Sequence, residues 1–137
     1  MSRNLIKVTP DPERARSILS STEITLKFIN KIDASEFPSN VTKEYYDVIR
    51  ELMSAVLALD GYKTFGEGAH VALIAYITSN YKEFSGEELL LIEDLRYNRN
   101  RIVYDGFSVD RDYVEDNLKL IEGIITKLKV IVKKKLD

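Results

Sequence analysis

The chain has 137 residues, with 20 Lys+Arg against 22 Asp+Glu and a formal net charge of -2. That length bounds it to one domain, and the near-neutral balance excludes a globally basic nucleic-acid binder. It contains no cysteine and a single histidine, so disulfide frameworks, thiolate metal sites and multi-histidine sites within one chain are excluded. Only six glycines and three prolines are present, which favours long regular elements over turn-rich β architecture.

Residues 1–11 read as an extended N-terminal arm, and the domain is expected to run over 12–137. The start Met1-Ser2-Arg3-Asn4-Leu5 has no apolar core of a signal segment, and no apolar run reaches membrane-spanning length. The expectation is a cytoplasmic protein with no membrane contact. Asp11-Pro12 reads as an N-cap followed by proline at the first helical position. A first helix is predicted to about Ile32, with Ala15, Ile18, Leu19, Leu26 and Ile29 on one face, before the break at 33–40. A second begins near Val41 and carries Tyr45, Ile49, Leu52, Met53, Val56 and Leu57, ending at Gly61.

The connection 61–68 holds three glycines. Its Gly-x-Gly lacks both the preceding strand and the lysine of a phosphate loop. A third helix is predicted from about Ala69 to Tyr81, with Val71, Ile74 and Ile77 inward. Ser85-Gly86-Glu87-Glu88 has the spacing of a capping box and opens a fourth helix, which Asp105-Gly106 closes. Ser108 is the expected cap of a fifth, whose Val114, Leu118, Ile121, Ile125, Leu128 and Val132 keep a heptad-like period suited to a core-facing stripe. No segment alternates as a strand. The fold class is therefore all-α, an up-down bundle of about five helices.

The fourth helix carries the densest chemistry. Arg96, Arg99, Asn100, Val103 and Tyr104 fall at i, i+3, i+4, i+7 and i+8, and no carboxylate stands between Asp94 and Asp105. Guanidinium forks suit phosphate oxygens. Arg99 also lies on the side of Ile92, Leu95 and Ile102, so a structural ion pair with a neighbouring helix competes with phosphate binding. The lysines at 127, 129 and 133–135 form a second basic group, read first as cations favoured by the helix dipole and second as a local basic patch. Tyr62, Tyr76, Tyr81 and Tyr97 can stack bases, although in a bundle such side chains more often serve core or interface.

Arg99-Asn100-Arg101-Ile102-Val103-Tyr104 resembles the HEPN signature, an arginine, often followed by asparagine, with a histidine four to six residues later in a long helix. Gly66-Glu67-Gly68-Ala69-His70 ahead of Val71-Ala72-Leu73-Ile74 is similar to a glycine-loop–histidine–helix segment of the same family. Arg99-Asn100-x3-Tyr104-Asp105-Gly106 resembles its closing motif. The resemblance implies a HEPN-like bundle that forms a homodimer and binds RNA or a nucleotide, needing no metal or other cofactor. It also implies a place in toxin–antitoxin or defence systems, with a nucleotidyltransferase as antitoxin partner.

Carried over, Arg99 would bind or stabilise the scissile phosphate, Asn100 would orient the arginine or the RNA backbone, and Tyr104 would stand in the histidine's place. Arg96, Arg101 and His70 would bind substrate. A phenol, with a pKa of about 10, is a poor general base at neutral pH, so the implied ribonuclease is weak, altered or lost. The alternative is a non-catalytic helical module that dimerises or docks on the nucleotidyltransferase.

Overall fold

The computed structural model describes residues 4–137. The first three residues of the predicted arm lie outside them. Five helices make the bundle: α1 (Pro12–Asn30), α2 (Pro38–Asp60), α3 (Ala69–Asn80), α4 (Gly86–Asp105) and α5 (Arg111–Leu136). The all-α expectation holds. Helix α2 is the hub and packs against each of the other four. Its Tyr46, Ile49, Leu52 and Met53 are fully buried, and they meet Leu73 and Ile77 of α3, Leu95 of α4 and Leu128 of α5 in one continuous core.

Local chemistry sets most of the helix ends. Asp11 caps α1 by accepting from the Arg14 amide at 3.0 Å, with Pro12 in the first turn. Helix α2 starts at Pro38, three residues before the predicted Val41, because proline is well suited to an opening turn. The box at α4 is complete: Glu88 N donates to Ser85 Oγ at 3.1 Å, and Ser85 N donates to Glu88 Oε1 at 2.8 Å. Gly106, at φ 67°, ends that helix. Ser108 does not cap α5. Asp110 does, accepting from Tyr113 N at 3.0 Å, because Val109 is drawn into the core with its amide on Ser39 Oγ. In α3 the expected inward set is corrected too: Ile74 and Ile77 are buried, but Val71 is exposed.

One element was not predicted. Residues Leu5–Lys7 (β1) pair antiparallel with Tyr62–Thr64 (β2), in the register Leu5 with Thr64, Ile6 with Lys63 and Lys7 with Tyr62. This small ribbon clamps the arm onto the loop after α2. Asn4 Nδ2 donates to the carbonyls of Phe65 and Glu67, and Val8 N donates to that of Gly61 at 2.9 Å. The ribbon needs Gly61: its φ is +83°, and a Cβ there would sit 3.0 Å from the Val8 carbonyl oxygen.

A polar knot closes the same end of the bundle. Asp60 accepts from the hydroxyls of Tyr76 (2.9 Å) and Tyr81 (2.5 Å) and pairs with Lys135 at 2.7 Å, tying α2, α3 and α5 together. Lys127 pairs with Glu88 at 2.6 Å, and Lys129 with Glu23. Three of the C-terminal lysines are thus engaged in ion pairs within the fold.

Candidate functional site

The densest group of charges outside that knot lies where α2, α3 and α4 meet. Arg99 of α4 places its Nε 3.3 Å from Asp47 Oδ1 of α2, and Arg50, one turn along α2, reaches the same oxygen at 3.8 Å. Neither pair is aligned for a hydrogen bond: Asp47 Oδ1 and the Nε atoms of Arg50 and Arg99 are buried without a hydrogen-bond partner among the described residues. Arg96, one turn before Arg99, pairs with Glu93 at 3.3 Å. Arg99 Nη1 donates to Asn100 Oδ1 at 3.3 Å. The side chain of Arg99 is only 16% exposed.

His70, in the first turn of α3, closes the cluster. Its ring sits 6.1 Å from that of Tyr46, centroid to centroid. Burial lowers its pKa, and the Arg50, Arg99 and Arg96 guanidiniums lower it further against a smaller opposing effect of Asp47. The imidazole is therefore neutral at pH 7 and able to accept a proton. Burial also pushes the Tyr46 phenol up to about 12, despite the same three guanidiniums. Its fully buried hydroxyl has no hydrogen-bond partner among the described residues.

Two guanidiniums, of Arg50 and Arg99, thus share the Asp47 carboxylate, and a third, of Arg96, pairs with Glu93 beside them, so three cations stand against two carboxylates. The result is a local excess of positive charge in a partly dry setting, where electrostatic attraction is stronger than in water. The donor set suits an anion. Among the described residues no group of three or more His, Asp or Glu side chains is placed to hold a metal ion.

The structure brings Arg96, Arg99, Asn100 and His70 together and leaves Arg101 and Tyr104 elsewhere. Five residues along an α-helix turn about 140° round its axis, so Tyr104 faces away from Arg99. It is 73% exposed. Arg101 lies over the Phe107 ring at 3.7 Å and near Tyr97 at 5.5 Å, on the outward side. Of the four tyrosines able to stack bases, Tyr76 and Tyr81 hold Asp60, and Tyr62 packs on Tyr76 at 5.4 Å. Only Tyr97 is exposed.

Asp47, Arg50 and Tyr46 were not anticipated as site residues. Their one sequence signal was the i, i+3 spacing of Asp47 and Arg50 beside the apolar stripe of α2. The chain matches no protein-family model, no curated protein and no solved structure. No helix among the described residues is long and apolar enough to cross a membrane.

Proposed function

We propose that the chain is a HEPN-type protein that binds the phosphates of RNA or a nucleotide, ribonuclease-like with weak, altered or lost nuclease activity. The observation that carries this reading is the sharing of the one Asp47 carboxylate by Arg50 and Arg99, with Arg96 on Glu93 one turn away. A purely structural ion-pair site gains nothing from an excess of buried cations, each of which costs desolvation. A site awaiting an anion does.

The motif resemblance from Arg99 to Gly106 supplies the reaction class: a ribose 2′-OH attacks the adjacent phosphate, the bond from phosphorus to the 5′-oxygen of the next nucleotide breaks, and that oxygen leaves with a proton from solvent while Arg99 stabilises the charge that develops. His70 is the imidazole beside the arginines, and burial and the guanidiniums favour its neutral form, the form able to accept the 2′-OH proton. On this reading the protein is cytoplasmic, acts as a homodimer, and belongs to a toxin–antitoxin or defence system beside a nucleotidyltransferase.

Arg99→Gln tests the phosphate site through anisotropy of a labelled single-stranded RNA across a salt series. Wild type should bind with an affinity that falls as salt rises. The variant should bind about tenfold more weakly, with a salt slope shallower by about 0.7, the share of one phosphate contact on a single strand. Wild type that binds no RNA at low salt, or an unchanged slope in a folded Arg99→Gln, would overturn the reading.

One observation favours the second reading, a non-catalytic interaction module. Leu90, Tyr97 and Tyr104 stand exposed at strict seven-residue intervals on the outward side of α4. An apolar seam at heptad spacing suits helix-to-helix docking.

A further inference from the structure

Helix α3 carries His70 in its first turn, and no side chain caps that turn. Gly68 stands at the N-cap with φ +90°, whereas α1, α4 and α5 each open on a capping side chain. With 12 residues, α3 is too short to hold its own end firmly. Its start hangs instead from the glycine loop. Ala69 N donates to the Gly66 carbonyl at 3.2 Å, and Ala72 N donates to that of Gly68 at 3.0 Å.

The loop in turn hangs from the N-terminal arm. Asn4 Nδ2 donates to the Phe65 carbonyl at 2.9 Å and to the Glu67 carbonyl at 2.7 Å. Phe65 N donates back to the Asn4 carbonyl at 3.0 Å. The Asn4 amide also lies close against the N-cap itself: a Cβ on Gly68 would sit 3.2 Å from Asn4 Oδ1. One side chain of the arm therefore fastens both ends of the segment that leads into α3.

What that turn must hold in place is the imidazole. From α2 it is faced by Tyr46, Asp47 and Arg50, and from α4 by Arg96 and Arg99. Fraying of an uncapped first turn would swing the ring away from all of them and into solvent.

We propose that Asn4 is a positioning residue for His70: its side-chain amide fastens the glycine loop, and the loop fixes the first turn of α3 so that the imidazole stays beside Arg50, Arg96 and Arg99. This deepens the reading of that cluster as a phosphate site and rests on it for its functional meaning. It also gives the β1–β2 ribbon a task, since the ribbon delivers Asn4 to the loop.

Three variants of the full chain test this through the NMR titration of His70, run first without phosphate. Asn4→Ala and Asn4→Leu both remove the two donated bonds, and leucine keeps the volume. Asn4 lies outside the hydrophobic core, so both variants keep the bundle. Asn80→Ala removes a bond of the same kind from the other end of α3, where Asn80 Nδ2 donates to the Tyr76 carbonyl at 2.9 Å. Both Asn4 variants should bring the imidazole midpoint closer to the ordinary 6.5, because the ring leaves its burial and the guanidiniums that hold it lower. The Ala72 amide should exchange with solvent about tenfold faster, reflecting two lost hydrogen bonds at the helix start. Asn80→Ala should leave both readings at their wild-type values. An unmoved midpoint in the Asn4 variants, or an equal shift in all three, overturns the positioning role. Phosphate is added last: a wild-type midpoint that it fails to raise overturns the phosphate reading, whatever the Asn4 variants show without it.

Discussion

Asp47→Asn separates an anion site from a structural ion-pair site. The substitution keeps the shape of the side chain and removes the one negative charge lying between Arg50 and Arg99. The Asp47 side chain is 23% exposed and those of its partners 29% and 16%, so the pairs belong between two regimes. Exposed pairs contribute about 0.2–1 kcal/mol, and breaking a fully buried one costs about 3–5 kcal/mol. A loss of about 1–2 kcal/mol is expected, because solvent screens part of the interaction while the guanidiniums left behind repel each other. For a domain of this size that lowers Tm by about 4–8 °C. If the arginines form an anion site, phosphate should then bind the variant more tightly than the wild type. Phosphate at about 100 times its dissociation constant would return about 2.7 kcal/mol, enough to restore the Tm. Thermal melts of both proteins in chloride and in phosphate, at matched ionic strength, decide the matter. A variant destabilised as expected but no better rescued by phosphate than the wild type would refute the anion site and leave a structural ion-pair network.

His70, the chain's single histidine, gives an unambiguous imidazole NMR signal. Its midpoint should lie below 6.5 in the free protein, because burial and three guanidiniums depress it, and should rise when phosphate neutralises them. By linkage, the native state loses stability as pH falls from the unfolded value of about 6.5 through the lowered folded one, and phosphate should shrink that loss. A midpoint at or above 6.5, or one unmoved by phosphate, contradicts the arrangement. Glu88 gives a second pH signature. Burial pushes its carboxyl up, but the Lys127 ammonium and the Ser85 amide more than offset this, and the net shift is downward. Its contribution is complete above the unfolded pKa of about 4.3 and is lost as pH falls through the folded value. Glu88→Gln should cost about 1.5–3 kcal/mol at pH 7 and flatten the fall of Tm between pH 5 and pH 3; an unchanged acid limb would count against the Lys127 pair. Leu90→Glu should convert a dimer into a monomer in sedimentation at tens of micromolar (~10⁻⁵ M,) while changing stability by only about 0.5 kcal/mol, since Leu90 is exposed. Wild type that sediments as a monomer throughout that range would remove the heptad seam as an interface.

What was legible in the sequence is what is local. Asp11-Pro12, Gly61, the Ser85–Glu88 box and Gly106 mark helix ends because caps act within a turn of chain, and each stands where it was read. The apolar stripes of α2 and α5 were legible because a long run of helix averages out single exceptions. Helix α3 has only 12 residues, and there the exception, Val71, was misplaced. The β1–β2 ribbon escaped because three residues are too few to alternate, and its pairing joins segments far apart in the chain. The site was half legible for the same reason. Arg96, Arg99 and Asn100 were visible as a set on one helix. Asp47, Arg50 and Tyr46 belong with them only because α2 and α4 pack side by side, which no spacing within α4 reports.

The two flanks of α4 make the identity of the proton carrier and the oligomeric state one question. Arg99 turns toward Asp47 of α2, while Leu90, Tyr97 and Tyr104 stand on the outward side. A rigid helix cannot bring side chains about 140° apart onto one phosphate. On the proposed reading, a phosphate held by Arg99 therefore meets the His70 of its own chain, and it meets a Tyr104 only from a second copy docked along the seam. His70 needs no partner, and burial with the three guanidiniums favours the neutral imidazole, the form that can accept a proton. Tyr104 needs a dimer to come near that phosphate at all. The chemistry of the proposed site therefore falls to the histidine of the loop-proximal helix. The tyrosine in the motif's histidine position, with its apolar neighbours, is left to the proposed interface.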